Sequence, residues 1–162
     1  MLRPFHAIVA TLALGLGLAN AAAAEADYAT IILKTPVDRP ADEVWKKIGD
    51  FCALGTFIKM SCVYTSGSGE LGTVRRLGGR ITEVMVAQTS HSYTYTQPDT
   101  KILYHGTLAV EPAGAGLSEI IYSLFYDQSP LATPQAKAAD RAQRTRVFSG
   151  LLATMKKAAE GD

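Results

Sequence analysis

With 162 residues, 48% of them apolar, the chain is long enough to build one domain around its own core. Its 16 basic and 15 acidic residues leave a net charge of +1, a balance that gives no sign of a nucleic-acid binder, which needs a concentrated basic surface. Two cysteines, Cys52 and Cys62, with no histidine beside them, exclude a four-ligand zinc centre, and no metal or cofactor is expected.

The chain opens with Arg3 in a short polar start, an aliphatic run from Ala7 to Leu18, and small residues from Ala19 onward. That order is read as an export signal over residues 1–24, with cleavage after Ala22, Ala24 or Ala26, followed by a single domain over 25–162. The run is shorter than the roughly 20 apolar residues of a membrane span. The expected destination is the bacterial periplasm or the medium. There Cys52 and Cys62 are candidates for a disulfide, the alternative being two buried thiols.

Tyr28 to Pro36 favours a strand through Tyr28, Ile31, Ile32 and Leu33. Asp38 as a cap and Pro40 in the first turn predict a helix over Ala41 to Ile48, with Val44, Trp45 and Ile48 at helical spacing. A second short helix or tight turn is expected over Phe51 to Phe57. Extended runs follow at Met60–Thr65, Thr73–Leu77, Arg80–Thr89, Ser92–Gln97, Ile102–Glu111 and Leu117–Asp127. Consecutive strands with short turns predict an antiparallel meander. The turn glycines do not form the GxGxxG pattern of a phosphate-binding loop. Thr133 and Pro134 start a long helix over Ala136 to Ala159. Its apolar stripe is read as Gln143, Val147, Gly150, Leu151, Thr154 and Ala158, widened by Phe148 and Met155. Its cations Lys137, Arg141, Arg144, Arg146, Lys156 and Lys157 form a solvated face, with weak contact to an anionic membrane surface as the alternative.

Several motifs recur in this order: Thr35-Pro36-Val37-Asp38-Arg39-Pro40, Ile48-Gly49-Asp50-Phe51, Gly78-Gly79-Arg80-Ile81-Thr82-Glu83, Tyr93-Thr94-Tyr95, Tyr104-His105-Gly106-Thr107 and Gly150-Leu151. Together they resemble the START-like superfamily, and within it the polyketide cyclase/dehydrase and lipid transport (SRPBCC) family. The chain departs from many exported relatives after Cys52, where Phe57-Ile58-Lys59 replaces a Trp-His-Pro-like stretch. The resemblance implies an α+β helix-grip fold. In it a curved seven-stranded antiparallel sheet wraps around a long C-terminal helix, two short helices follow the first strand, and a cavity lies between sheet and helix. It implies binding or transfer of a small hydrophobic, lipid-like or aromatic molecule. A cyclase/dehydratase-like or hydrolase-like enzyme is the second expectation, and an exported protein-interaction domain without ligand the third. Nothing selects between a monomer and a homodimer.

Alternation along the strands assigns Tyr93, Tyr95, Tyr104, Tyr122 and Tyr126 to the concave side, where phenols could line an apolar cavity and offer hydroxyls. Phe51, Phe57 and Met60 are placed at its mouth, either gating entry or closing one end of the core, and Val147, Gly150, Leu151 and Thr154 on its helical wall. Arg76 and Glu83 are candidates for an internal ion pair or for a ligand's polar head, the alternative being a solvent-facing pair. No catalytic residue is assigned. His6 belongs to the leader, His91 to a strand edge and His105 to the face opposite Tyr104, and neither strand histidine has a nucleophile and an orienting acid. Glu83 or a tyrosine would carry any acid-base role.

Overall fold

The computed structural model describes residues 26–161. The proposed leader, with His6 and the sites after Ala22 and Ala24, lies outside the described residues. The elements run β1 (Tyr28–Val37), α1 (Ala41–Ile48), α2 (Ala53–Phe57), β2 (Cys62–Ser66), β3 (Val74–Leu77), β4 (Ile81–Thr89), β5 (Ser92–Thr96), β6 (His105–Gly114), β7 (Leu117–Asp127) and α3 (Pro134–Glu160). The strands form one seven-stranded antiparallel sheet in the order β1-β7-β6-β5-β4-β3-β2. This is the helix-grip architecture.

The meander from β2 to β7 is joined by turns, whereas β1 crosses to pair with β7, placing Ile31 opposite Leu124 and Leu33 opposite Tyr122. β1 is therefore a sheet edge, and α3 seals it. Arg141 Nη2 donates to the Thr30 carbonyl at 3.2 Å and Lys156 Nζ to that of Pro36 at 2.6 Å. Two cations of the helix thus satisfy edge carbonyls that could otherwise template another strand. In β4 the register shifts between Met85 and Ala87, and the bulged Val86 turns outward, a device that bends a sheet.

Local details depart from the sequence expectations. Asp38 does not cap α1. Pro40 occupies the cap position without a side-chain bond, and the Asp38 amide donates to Glu160 Oε1 at 3.1 Å. Strand β6 begins at His105 and not at Ile102, because Leu103 takes a left-handed backbone with φ of 47°. At α3 the cap is as expected, with Thr133 Oγ1 accepting from the Ala136 amide at 3.1 Å.

The stripe of α3 is turned from its expected position. Leu151, Leu152, Met155 and Ala159 are buried, with Phe148 packed beside them, while Gly150 and Thr154 are exposed. Apolar residues occupy more than one side of this helix, so its rotation is chosen by β1 and α1, against which it packs. Cys52 and Cys62 form a disulfide with a Cα separation of 5.5 Å, tying the start of α2 to the first residue of β2. In the loop-entropy picture such a short loop contributes about 2–3 kcal/mol.

Candidate functional site

Between the concave sheet and α3 lies a cavity of about 330 Å³, within the usual range for small-ligand sites. Helix α2 supplies Leu54, the turn after it Ile58 and Met60, and α3 supplies Val147, Phe148 and Leu151. The sheet side supplies Leu77, Ile81, Glu83 and Tyr95, with Gln97 and Tyr104 just beyond their strands. Apolar groups dominate, and the polar atoms gather on the sheet wall.

That polar wall is built on a buried ion pair. Arg75 is wholly buried and Glu83 is 2% exposed. Arg75 Nε donates to Glu83 Oε2 at 2.6 Å, and Nη2 lies 2.5 Å from the same oxygen without the alignment of a hydrogen bond. Nη1 donates to the Phe51 carbonyl, and the guanidinium stacks on the Phe51 ring at 3.8 Å. Burial opposes the charge of Arg75, but Tyr93 and Glu83 outweigh it and hold its pKa above the ordinary value. Glu83 Oε1 accepts from Gln97 Nε2 at 2.8 Å. Each charge is thus paired and hydrogen-bonded, as burial demands.

The tyrosines form a buried row, with ring centroids 6.4 Å apart from Tyr93 to Tyr95, 6.1 Å from Tyr95 to Tyr104 and 6.4 Å from Tyr104 to Tyr126. The hydroxyls of Tyr95 and Tyr122 share a hydrogen bond of 2.8 Å. Burial pushes every one of these phenols up, Tyr93 to about 12 and Tyr95 and Tyr122 well above the ordinary value. They are neutral near pH 7. Tyr95 can lie flat across the sheet because its strand partner is Gly106, where any Cβ would collide with the ring.

The structure divides the sequence candidates. Met60, Glu83, Tyr95, Tyr104, Val147 and Leu151 meet at the cavity. Tyr122 stands behind it, bonded to Tyr95 and 4.8 Å from the Phe148 ring. Tyr93 packs on Trp45 and Phe51. Tyr126 faces a smaller void of about 70 Å³ beside Arg144 and Asp140. Phe51 is buried over Arg75 and does not gate the mouth, and Phe57 packs on the core. Gly150 and Thr154 face away from the cavity, Thr154 Oγ1 donating to the Gly150 carbonyl. Arg76 is exposed, and its neighbour Arg75 takes the internal position. Leu77, inward and two residues on, carried that signal, since Arg75 shares its face.

Neither His91, in the turn between β4 and β5, nor His105 lines the cavity. His91 Nε2 lies 2.6 Å from Asp42 Oδ1, and His105 Nδ1 lies 2.8 Å from the Leu103 carbonyl. A larger groove, about 460 Å³, runs outside along β1 and α3. Its Lys34 and Lys156 are already engaged by Glu119 and Glu160, so the inner cavity is the better candidate.

The family described as polyketide cyclase / dehydrase and lipid transport matches residues 29–160. No curated protein sequence matches the chain. Among solved structures, the chain is similar to the Zhui aromatase/cyclase from Streptomyces, with a TM-score of 0.67 and 17% identity over 83% of this chain and 94% of that one. A protein from Thermobifida fusca gives a TM-score of 0.65 with 20% identity, covering 80% and 92%. Norcoclaurine synthase from Thalictrum flavum gives 0.60 with 16% identity, covering 83% and 95%. At such identities the likeness establishes the fold.

Proposed function

Since the chain belongs to the polyketide cyclase/dehydrase and lipid transport family, we propose that it binds, and hands on, a small hydrophobic or aromatic molecule held between the sheet and α3. The observation that carries this is the cavity of about 330 Å³, apolar on its helical side and polar at one patch of its sheet wall. A sealed protein-interaction domain would close that space with side chains. Export fits the same reading. The Cys52–Cys62 disulfide suits an oxidising compartment, and no described helix is long and apolar enough to cross a membrane.

A cyclase-like activity has one observation in its favour, the Glu83–Gln97 pair beside Tyr95 and Tyr104 on the cavity wall. Against it, phenols pushed well above their ordinary value are weak proton donors near pH 7, and Glu83 is held by Arg75. Binding is therefore the better-supported function.

Native mass spectrometry of protein isolated from its own host tests it. A non-covalent small-molecule adduct is expected, lost on denaturation and lost in a folded Leu151→Trp variant whose indole fills the cavity. Ligand-free protein, together with no hit in a screen of apolar metabolites, would count decisively against binding.

A further inference from the structure

We propose that the cavity selects neutral ligands that donate a hydrogen bond, such as phenols and alcohols, over carboxylates of the same shape. This rests on the binding function proposed above and names the chemical class of its ligand. A buried arginine beside a cavity ordinarily suggests an anion site, but Arg75 is not among the residues that line the cavity and its charge is paired with Glu83. Two of its nitrogens face Glu83 Oε2, the third donates to the Phe51 carbonyl, and the Phe51 ring covers its plane. Among the described residues lining the cavity none is a lysine or arginine. The charged group that does reach the wall is Glu83.

A carboxylate offers about four acceptor sites. Arg75 occupies Oε2, and Gln97 occupies one site on Oε1, which leaves Oε1 able to accept again. Gln97 gives its amide nitrogen to Glu83, so its own carbonyl oxygen is turned away from the carboxylate and remains an acceptor. The other polar atoms on this wall are the hydroxyls of Tyr95 and Tyr104, and that of Tyr95 is engaged with Tyr122. The wall therefore offers a charged acceptor and no cation, its donors being neutral ones, the second N–H of Gln97 and the Tyr104 hydroxyl. A ligand hydroxyl finds a charged acceptor there. A ligand carboxylate meets a like charge with no free cation, in surroundings that do not solvate it.

Isothermal titration calorimetry at pH 7 with 2-naphthol and 2-naphthoate, equal in ring system and opposite in this property, tests the preference. The naphthol is expected to bind at least about 10-fold more tightly, the scale of a hydrogen bond to a charged group. Equal or tighter binding of the naphthoate overturns the preference and leaves the cavity as a ligand site. Binding of neither probe also overturns it, while an adduct in native mass spectrometry would still uphold the binding function. In Glu83→Gln the ratio should fall towards one. Because that change leaves Arg75 buried without its partner, Arg75→Met/Glu83→Gln, which removes both charges, is measured beside it. An unchanged ratio in either folded variant overturns the role of Glu83.

Discussion

At the scale of single residues, Arg75 and Glu83 illustrate how burial converts charge into a structural commitment. The pair is nearly free of solvent, with Phe51, Gln97 and Tyr95 packed against it. Removing one member leaves the other charged and unmatched in a poorly polarisable interior. Arg75→Met should therefore lower unfolding free energy by about 3–5 kcal/mol, whereas Arg75→Met/Glu83→Leu, which removes both charges, should cost much less. Urea denaturation of the two variants gives the comparison, and equal losses would show that packing around the arginine, not the stranded carboxylate, sets the cost.

At the scale of elements, the apolar anchors of α3 all lie in its second half. Leu151, Leu152, Met155 and Ala159 are buried, and all lie beyond Gly150. A methyl group built on Gly150 would meet nothing within 4 Å. Gly150→Ala is therefore expected to stabilise the protein by up to about 1 kcal/mol through helix propensity. Met155→Ala should instead cost about 2–5 kcal/mol by opening a void in the core. Thermal or chemical unfolding decides both. A destabilising Gly150→Ala would mean that this face of the helix is packed, as the sequence pattern alone suggested.

At the scale of the whole molecule, the buried phenols couple folding to alkaline pH. Tyr93, Tyr95, Tyr104 and Tyr122 all have folded-state values raised by burial, above the ordinary value of about 10. The unfolded chain therefore loses these protons first. Stability is full below about pH 10 and falls as pH climbs from there towards the shifted values, which for Tyr93 means towards about 12. Their phenolate absorbance should appear late and together with loss of near-ultraviolet circular dichroism. Ionisation of all the tyrosines at ordinary pH in a still-folded protein would contradict the buried row.

Much of the fold was legible because its signals are local. Alternation, glycine turns and the Thr133-Pro134 cap placed β7 to the residue and most other elements within a few positions. The concave tyrosines were legible for the same reason, since Tyr93 and Tyr95 keep strand parity. What tertiary structure alone decided involves contacts between distant segments. Parity puts Arg75 on the face of Leu77 and Arg76 on the other, but which of the two faces is the inner one is settled by the pairing of this four-residue strand against β4. The rotation of α3 depends on β1 and α1, because its sequence offers apolar side chains on several faces. The cavity is a further step removed: it is the space left where Phe148 and Leu151 stop short of Tyr95 and Glu83. No local pattern encodes a gap, since it arises only when separately determined surfaces are brought together.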